Sequence, residues 1–395
     1  MAEQDSNIVV GRRYQELNGL RAVAATMVIW LHAAELASTA STPNTLTQIY
    51  TDIAWIGSSG VTLFFVISGF LITGILIDTK DEPLGLKKFY IRRALRILPL
   101  YYFGLVAIFL LLVMFGQIKG EYNLLQVFVY HILYVSNWVV FFDIHNFVSA
   151  HSNLTWFTHL WSLAVEQQFY IVWPALFLFL YKRISYRVFV TLLISLAAFS
   201  AGLRIYMTYE WHWVPAYTST PTRMDALFMG AVLAVMKKNT PEKLVKINNF
   251  GPFSILVLSI LTLAYLLATA ATENFFEGLS AVIVPLTMLI SFFLTAALIV
   301  PANEGKIHTF LKHSIVQRAG DISYGLYIYS HLVQIALRNL LAARGVANFW
   351  LLHFILLFLG IALAFIIAGL SYDYIEKPIS NLKKTWAPYK NRKRA

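Results

Sequence analysis

The 395-residue chain has no cysteine. That excludes disulfides, thiolate zinc sites, S-palmitoylation and any cysteine-borne acyl intermediate. Charge is scarce too: Asp, Glu, Lys and Arg make up 13%, where a soluble chain carries roughly a quarter. A soluble globule, a disordered chain and a DNA-binding domain are thereby excluded, and no nucleic-acid partner is expected. There is no G-x-S-x-G elbow, P-loop or G-x-G-x-x-G loop, and Gly57-Ser58-Ser59-Gly60 is not a nucleophile elbow. No internal repeat of the inverted-half kind seen in many secondary transporters is visible. The first 17 residues are polar, so the first apolar run reads as a span and no cleavable signal peptide is expected.

What is present is apolar: 58% of residues by the AVILMFWYC count, with a mean hydropathy of +0.64. Candidate runs fall at 18–37, 55–77, 97–115, 124–143, 162–181, 188–207, 223–237, 252–270, 279–300, 322–343 and 351–373. A run near 20 residues crosses a bilayer core of about 30 Å. The net charge of +11 then follows from the rule that Lys and Arg gather in cytoplasmic loops. If 124–143 does not cross, 25 Lys and Arg share one side, and only Lys119 and Arg344 lie in the other loops. If all eleven runs cross, the split is 9 inside against 18 outside, which contradicts the rule. Letting 124–143 cross while 223–237 does not gives 22 against 5, the second choice. The expected fold is all-α: a polytopic integral membrane bundle of ten transmembrane helices with cytosolic N and C termini. Residues 1–17 form a cytosolic N-terminal segment and 18–373 the bundle. Within it, 124–160 is an outward-facing re-entrant or interfacial element, tolerated at depth where protein or a cavity covers it. Residues 374–395 form a basic cytosolic tail, read as an anchor beside anionic lipid. No separate soluble domain is expected on either side.

Ionisable groups within spans mark functional candidates. Arg21, His32 and Glu35 in the first span share one helix face, since eleven steps of 100° return to within about 20° of the start. Arg21 alone could snorkel to the interface, and His32 alone could be a packing residue; the three together favour function. Glu166, near the outer end of 162–181, matches His32 in depth. A His–Glu contact there would orient the ring for general-base work, or be a polar bond that aids assembly. Arg204, Arg223 and Asp225 also fall at outer span ends and suggest a polar vestibule, with Trp156 and Trp161 nearby. Stacked aromatics and charges suit a sugar; an interfacial aromatic belt explains the tryptophans equally well. Arg93 and Arg96, at i and i+3 on a short helix leading to Pro99, can fork a phosphate-rich donor such as a coenzyme A ester or simply obey the charge rule. Tyr324, Tyr327 and His331 form a stripe that lines a tunnel or bonds neighbouring helices. His145, His151 and His159, spaced 6 and 8 apart, do not match a compact helical metal site. They are read as surface residues, and no metal is expected.

Together these pieces resemble the membrane acyltransferase-3 family. The matching residues are Leu17-Asn18-Gly19-Leu20-Arg21 with His32, the stretch from Gly60 to Ile72, Tyr90-Ile91-Arg92-Arg93 with Arg96 and Pro99, and Trp161-Ser162-Leu163 with Glu166, Phe169 and Tyr170. Further along come Arg223-Met224-Asp225-Ala226-Leu227 with Gly230, Ile322-Ser323-Tyr324-Gly325-Leu326-Tyr327 with His331, and Glu376-Lys377-Pro378. The resemblance implies transfer of an acyl group, commonly acetyl, from cytosolic acyl-coenzyme A to a hydroxyl of a surface polysaccharide or lipid-linked glycan. It implies a bacterial plasma (inner) membrane location, acyl-coenzyme A as co-substrate and no permanently bound cofactor. Some members carry a fused esterase-like domain, which is not expected here. The roles that follow are catalysis for His32, Glu35 and Glu166; donor binding for Arg21, Arg93, Arg96, Tyr324, Tyr327 and His331; and acceptor binding for Trp161, Arg204, Arg223 and Asp225. The rival from another class is a transporter of a lipid, sugar or acyl carrier with no covalent chemistry, which buried Arg, His and Glu would also serve.

Overall fold

The computed structural model describes residues 14–41, 44–115, 124–142, 155–300 and 305–389, and no strand occurs among them. Helix α1 (Gln15–Thr39) leads to α2 (Thr45–Ala54), whose start is fixed by a capping box between Asn44 and Thr47. A single 3-10 turn joins α2 to α3 (Ser59–Thr79). Then follow α4 (Gly85–Met114), the short α5 (Leu124–Ile132) and α6 (Ser136–Phe142), α7 (Trp161–Tyr181) and α8 (Tyr186–Glu210). The chain continues as α9 (Thr220–Asn239), α10 (Pro241–Thr269), α11 (Phe275–Ile299), α12 (Ser323–Ala342) and α13 (Phe349–Trp386).

Among the described residues, eight helical stretches are long and apolar enough to cross a membrane. Helices α9 and α12, both among the ten expected spans, fall outside that set although each has 20 residues, roughly 30 Å of helix. Both carry polar and charged side chains that turn inward, so their composition understates their burial. Helices α5 and α6 have 9 and 7 residues, each too short to cross alone. His145 and His151 lie outside the described residues.

Burial separates centre from rim. The apolar window of α1 is 61% buried and that of the α2–α3 stretch 72%, against 17% for α10. Helices α1 and α3 therefore form the hub, and α10 turns its apolar surface outward, as a lipid-facing helix would. The tightest seam joins α3 to α9. Gly69 rests on the backbone of Leu227 and Gly230 on the carbonyl of Val66, where a Cβ would overlap the neighbouring backbone in each case. Polar ties fix register elsewhere. Asn18 of α1 donates to Asp321 at 3.0 Å and to the Gln317 carbonyl at 3.1 Å. Gln334 of α12 donates to the Ile29 carbonyl of α1 at 3.0 Å and to Leu356 of α13 at 3.3 Å.

Candidate active site

Arg93 and Arg96 do not sit on a short helix that stops at Pro99. Helix α4 runs through the proline to Met114, because one missing N–H removes a single backbone bond that packing can tolerate. The first turns of α4 face α1 across a cavity of about 620 Å³. Arg21, Arg93 and Arg96 all line it, with Asn18, Ser68, Glu166, Tyr324, Tyr327 and Glu376 in the same wall. Among the described residues, none of the three guanidiniums has an ion-pair or hydrogen-bond partner. Arg93 lies 5.3 Å over the Tyr170 ring and 5.8 Å over Phe89, which fixes its direction while leaving its N–H groups uncommitted. Three such forks around one cavity suit a ligand bearing several negative charges.

Glu166 occupies this arginine side. Its Oε1 accepts from Ser68 and from Tyr170, and it makes no hydrogen bond to His32. The His–Glu166 contact suggested by matching depths is therefore absent: the carboxylate is turned to Ser68 of α3 and shares the cavity wall with the arginines, a wall His32 does not reach. The Glu35 contact is present, with His32 Nδ1 3.1 Å from Glu35 Oε2. A carboxylate at Nδ1 holds the proton there and leaves the Nε2 lone pair to accept another. The His32 side chain is 14% exposed and that of Glu35 39%, so the pair sits at the edge of the packed interior.

Between the arginines and this pair stands α12. Tyr324 and Tyr327 line the cavity, and Tyr327 is fixed by Ser162 at 2.5 Å and by the His159 carbonyl at 3.0 Å. One turn further, the His331 ring lies 4.3 Å from that of His32 and 4.7 Å from that of His159. His331 also meets Thr158 at 3.5 Å. The stripe Tyr324–Tyr327–His331 thus runs from the arginine cavity to the imidazole of His32. His32 itself is not part of the cavity wall; the three imidazoles begin where that wall ends. His159 corrects the surface reading: it is 2% exposed. Its loop-like spacing concealed a 3-10 turn, Thr155–Leu160, that carries the ring inward at the start of α7. No group of side chains suited to hold a metal occurs among the described residues.

The vestibule expected from Arg204, Arg223 and Asp225 is not there, since all three are at most 1% exposed. Arg204 pairs with Asp225 at 2.8 Å, donates to the Ser280 carbonyl at 3.1 Å and also bonds the Thr222 carbonyl. It ties α8, α9 and the start of α11 together. Arg223 donates to Thr62 at 3.0 Å and is enclosed by the rings of Phe65, Trp161 and Tyr217 at 5.7, 5.7 and 5.0 Å. As expected from their spacing, Arg223 and Asp225 face different partners. Both arginines and Trp161 brace the helices behind the site.

Apolar helices around an arginine-bearing cavity, with a His–carboxylate pair beyond its wall, fit a membrane-embedded enzyme, and residues 14–369 match the family described as an acyltransferase domain. The chain belongs to that family. It is 30% identical over 383 residues to a Staphylococcus aureus (strain COL) protein provisionally named an O-acetyltransferase, covering 92% of this chain and 56% of that protein. It is 30% identical over 388 residues to the peptidoglycan O-acetyltransferase OatA of Listeria monocytogenes (93% and 56% covered). A Bacillus subtilis (strain 168) protein, YrhL, provisionally named a peptidoglycan O-acetyltransferase, is 29% identical over 384 residues (92% and 54% covered). The chain therefore spans about half the length of the curated relatives it matches. No solved structure matches it.

Proposed function

We propose that this chain is a ten-span O-acyltransferase unit of a bacterial plasma membrane, with both termini cytosolic. It moves an acyl group, most simply acetyl, from acyl-coenzyme A to a hydroxyl of a cell-envelope glycan. The observation that carries the reading is the set of three unpaired arginines facing a cavity whose far wall leads, through Tyr327 and His331, to the His32–Glu35 pair. Arg21, Arg93 and Arg96 hold the donor phosphates. The pantetheine arm passes Tyr324 and Tyr327 toward His32. His32 Nε2 takes the acceptor hydroxyl proton, the oxygen attacks the thioester carbonyl, the C–S bond breaks, and the thiolate leaves to be protonated as the free thiol. General-base help of this kind supplies roughly 10²–10⁴-fold. The half-exposed Glu35 marks the side from which the acceptor reaches His32. The names of the Listeria and Bacillus relatives make peptidoglycan the first acceptor to try.

The test is mass spectrometry of envelope glycans from cells with and without the gene, alongside the purified protein in nanodiscs with labelled acetyl-coenzyme A. Loss of an acetyl group in the deletion, and transfer or thioester hydrolysis in vitro, support the proposal. Solute flux without any acylated product would establish the transporter reading instead.

A further inference from the structure

The C-terminal segment lies beyond the residues that match the family, and the sequence reads it as a tail on anionic lipid. In the structure it folds back across α4. Arg92 Nη1 donates to the carbonyls of Ala387 at 3.0 Å and Lys383 at 3.5 Å. The Arg92 guanidinium also lies 4.4 Å over the Tyr389 ring. Ala387 is fully buried, so the segment is seated against the bundle. Of the two adjacent arginines, Arg92 is thus committed to the C-terminal segment, while Arg93 is left to the cavity.

This seating brings Lys377 and Lys383 into the wall that holds Arg21, Arg93 and Arg96. Lys383 is half-buried. Its Nζ meets Ser380 at 3.2 Å, and no carboxylate lies within ion-pair distance among the described residues. An ammonium partly removed from water, beside guanidiniums and without a counter-ion, is unfavourable until an anion enters. A lysine serving only as a lipid anchor would point outward from the bundle, as its exposed neighbour Lys384 does.

We infer that Lys383, held in place by Arg92, is a further phosphate-binding residue of the donor site, and that the segment 377–389 forms one wall of that site. The inference rests on the acyl-coenzyme A reading above. The chemistry recognised is a phosphate, which either a nucleotide donor or a lipid headgroup can present, so the experiment separates the two.

Coenzyme A binding is measured calorimetrically for wild type, K383Q, K383R and K384Q. Each is placed in nanodiscs of phosphatidylcholine alone and in nanodiscs containing phosphatidylglycerol, and melting temperatures confirm folding. Loss of one charge-assisted contact is expected to weaken binding by K383Q roughly ten- to hundredfold in both lipids. K383R retains most of the affinity and K384Q matches wild type. If K383Q fails to fold, K383M is used against K383R in the same assay. Should wild type bind coenzyme A and K383Q bind it equally, this inference falls while the acyl-coenzyme A reading stands. A defect confined to phosphatidylglycerol nanodiscs, or one that K383R does not relieve, also overturns it. If wild type binds no coenzyme A in either lipid, both readings fail.

Discussion

Replacing Glu35 by Gln removes a charge from the His32 pair while keeping an oxygen that can accept from Nδ1. The contact is 3.1 Å long, so the substitution converts a charge-assisted hydrogen bond into a neutral one with little change of shape. Hydrogen bonds to charged groups contribute about 1.5–3 kcal/mol. The Glu35 side chain is 39% exposed, and water screens part of that effect, which places the expected loss near the lower bound. Each 1.36 kcal/mol of barrier is about tenfold in rate, so E35Q is expected to lower kcat roughly tenfold. Donor KM should not change, because Glu35 is not in the wall of the arginine cavity. E35A, which also frees the ring to turn, should fall further. The assay is transfer of labelled acetyl from coenzyme A in nanodiscs, with donor and acceptor varied separately. Wild-type kcat in both variants, or an effect confined to donor KM, would refute the assignment of Glu35 to the imidazole.

Three other outcomes follow from the geometry. R96Q, which removes one unpaired guanidinium from the cavity, should raise donor KM roughly tenfold with kcat little altered, as read by saturation kinetics. R204M strands the Asp225 carboxylate in the interior and should destabilise the bundle by roughly 3–5 kcal/mol, whereas the double variant R204M/D225L should recover much of that loss; thermal unfolding in detergent reads both. G230A puts a Cβ onto the Val66 carbonyl and should cost about 1–3 kcal/mol, seen as a lower melting temperature with catalysis per folded molecule retained.

The membrane class and the helices were legible in the sequence because apolar runs and basic loops record them directly. So was the contact within α1, since the i, i+3 geometry of His32 and Glu35 is fixed by one helix. Relations between helices were not legible. Glu166 turns to Ser68 and Tyr170 and not to His32, because packing, not hydropathy, sets which neighbours α7 presents it to. Arg204 and Asp225 read as separate outer-end charges, yet they close an internal ion pair across α8 and α9. Nothing in either helix alone reports that partner. His159 lay between a loop and a span, and only its proximity to His331, 172 positions along the chain, draws it into the site. Lys383 belonged to a run of charges explained by the membrane surface, and the Arg92 bonds to the carbonyls of Lys383 and Ala387 that seat its segment on α4 are again long-range.

If His32 performs the chemistry beside a donor held elsewhere, binding and transfer separate in H32A, and both can be measured on one preparation of the folded variant in nanodiscs. Donor affinity is expected to match wild type, with transfer reduced at least roughly 10²-fold. Wild-type turnover, or a loss of donor binding that accounts for the lost transfer, would contradict that role for His32.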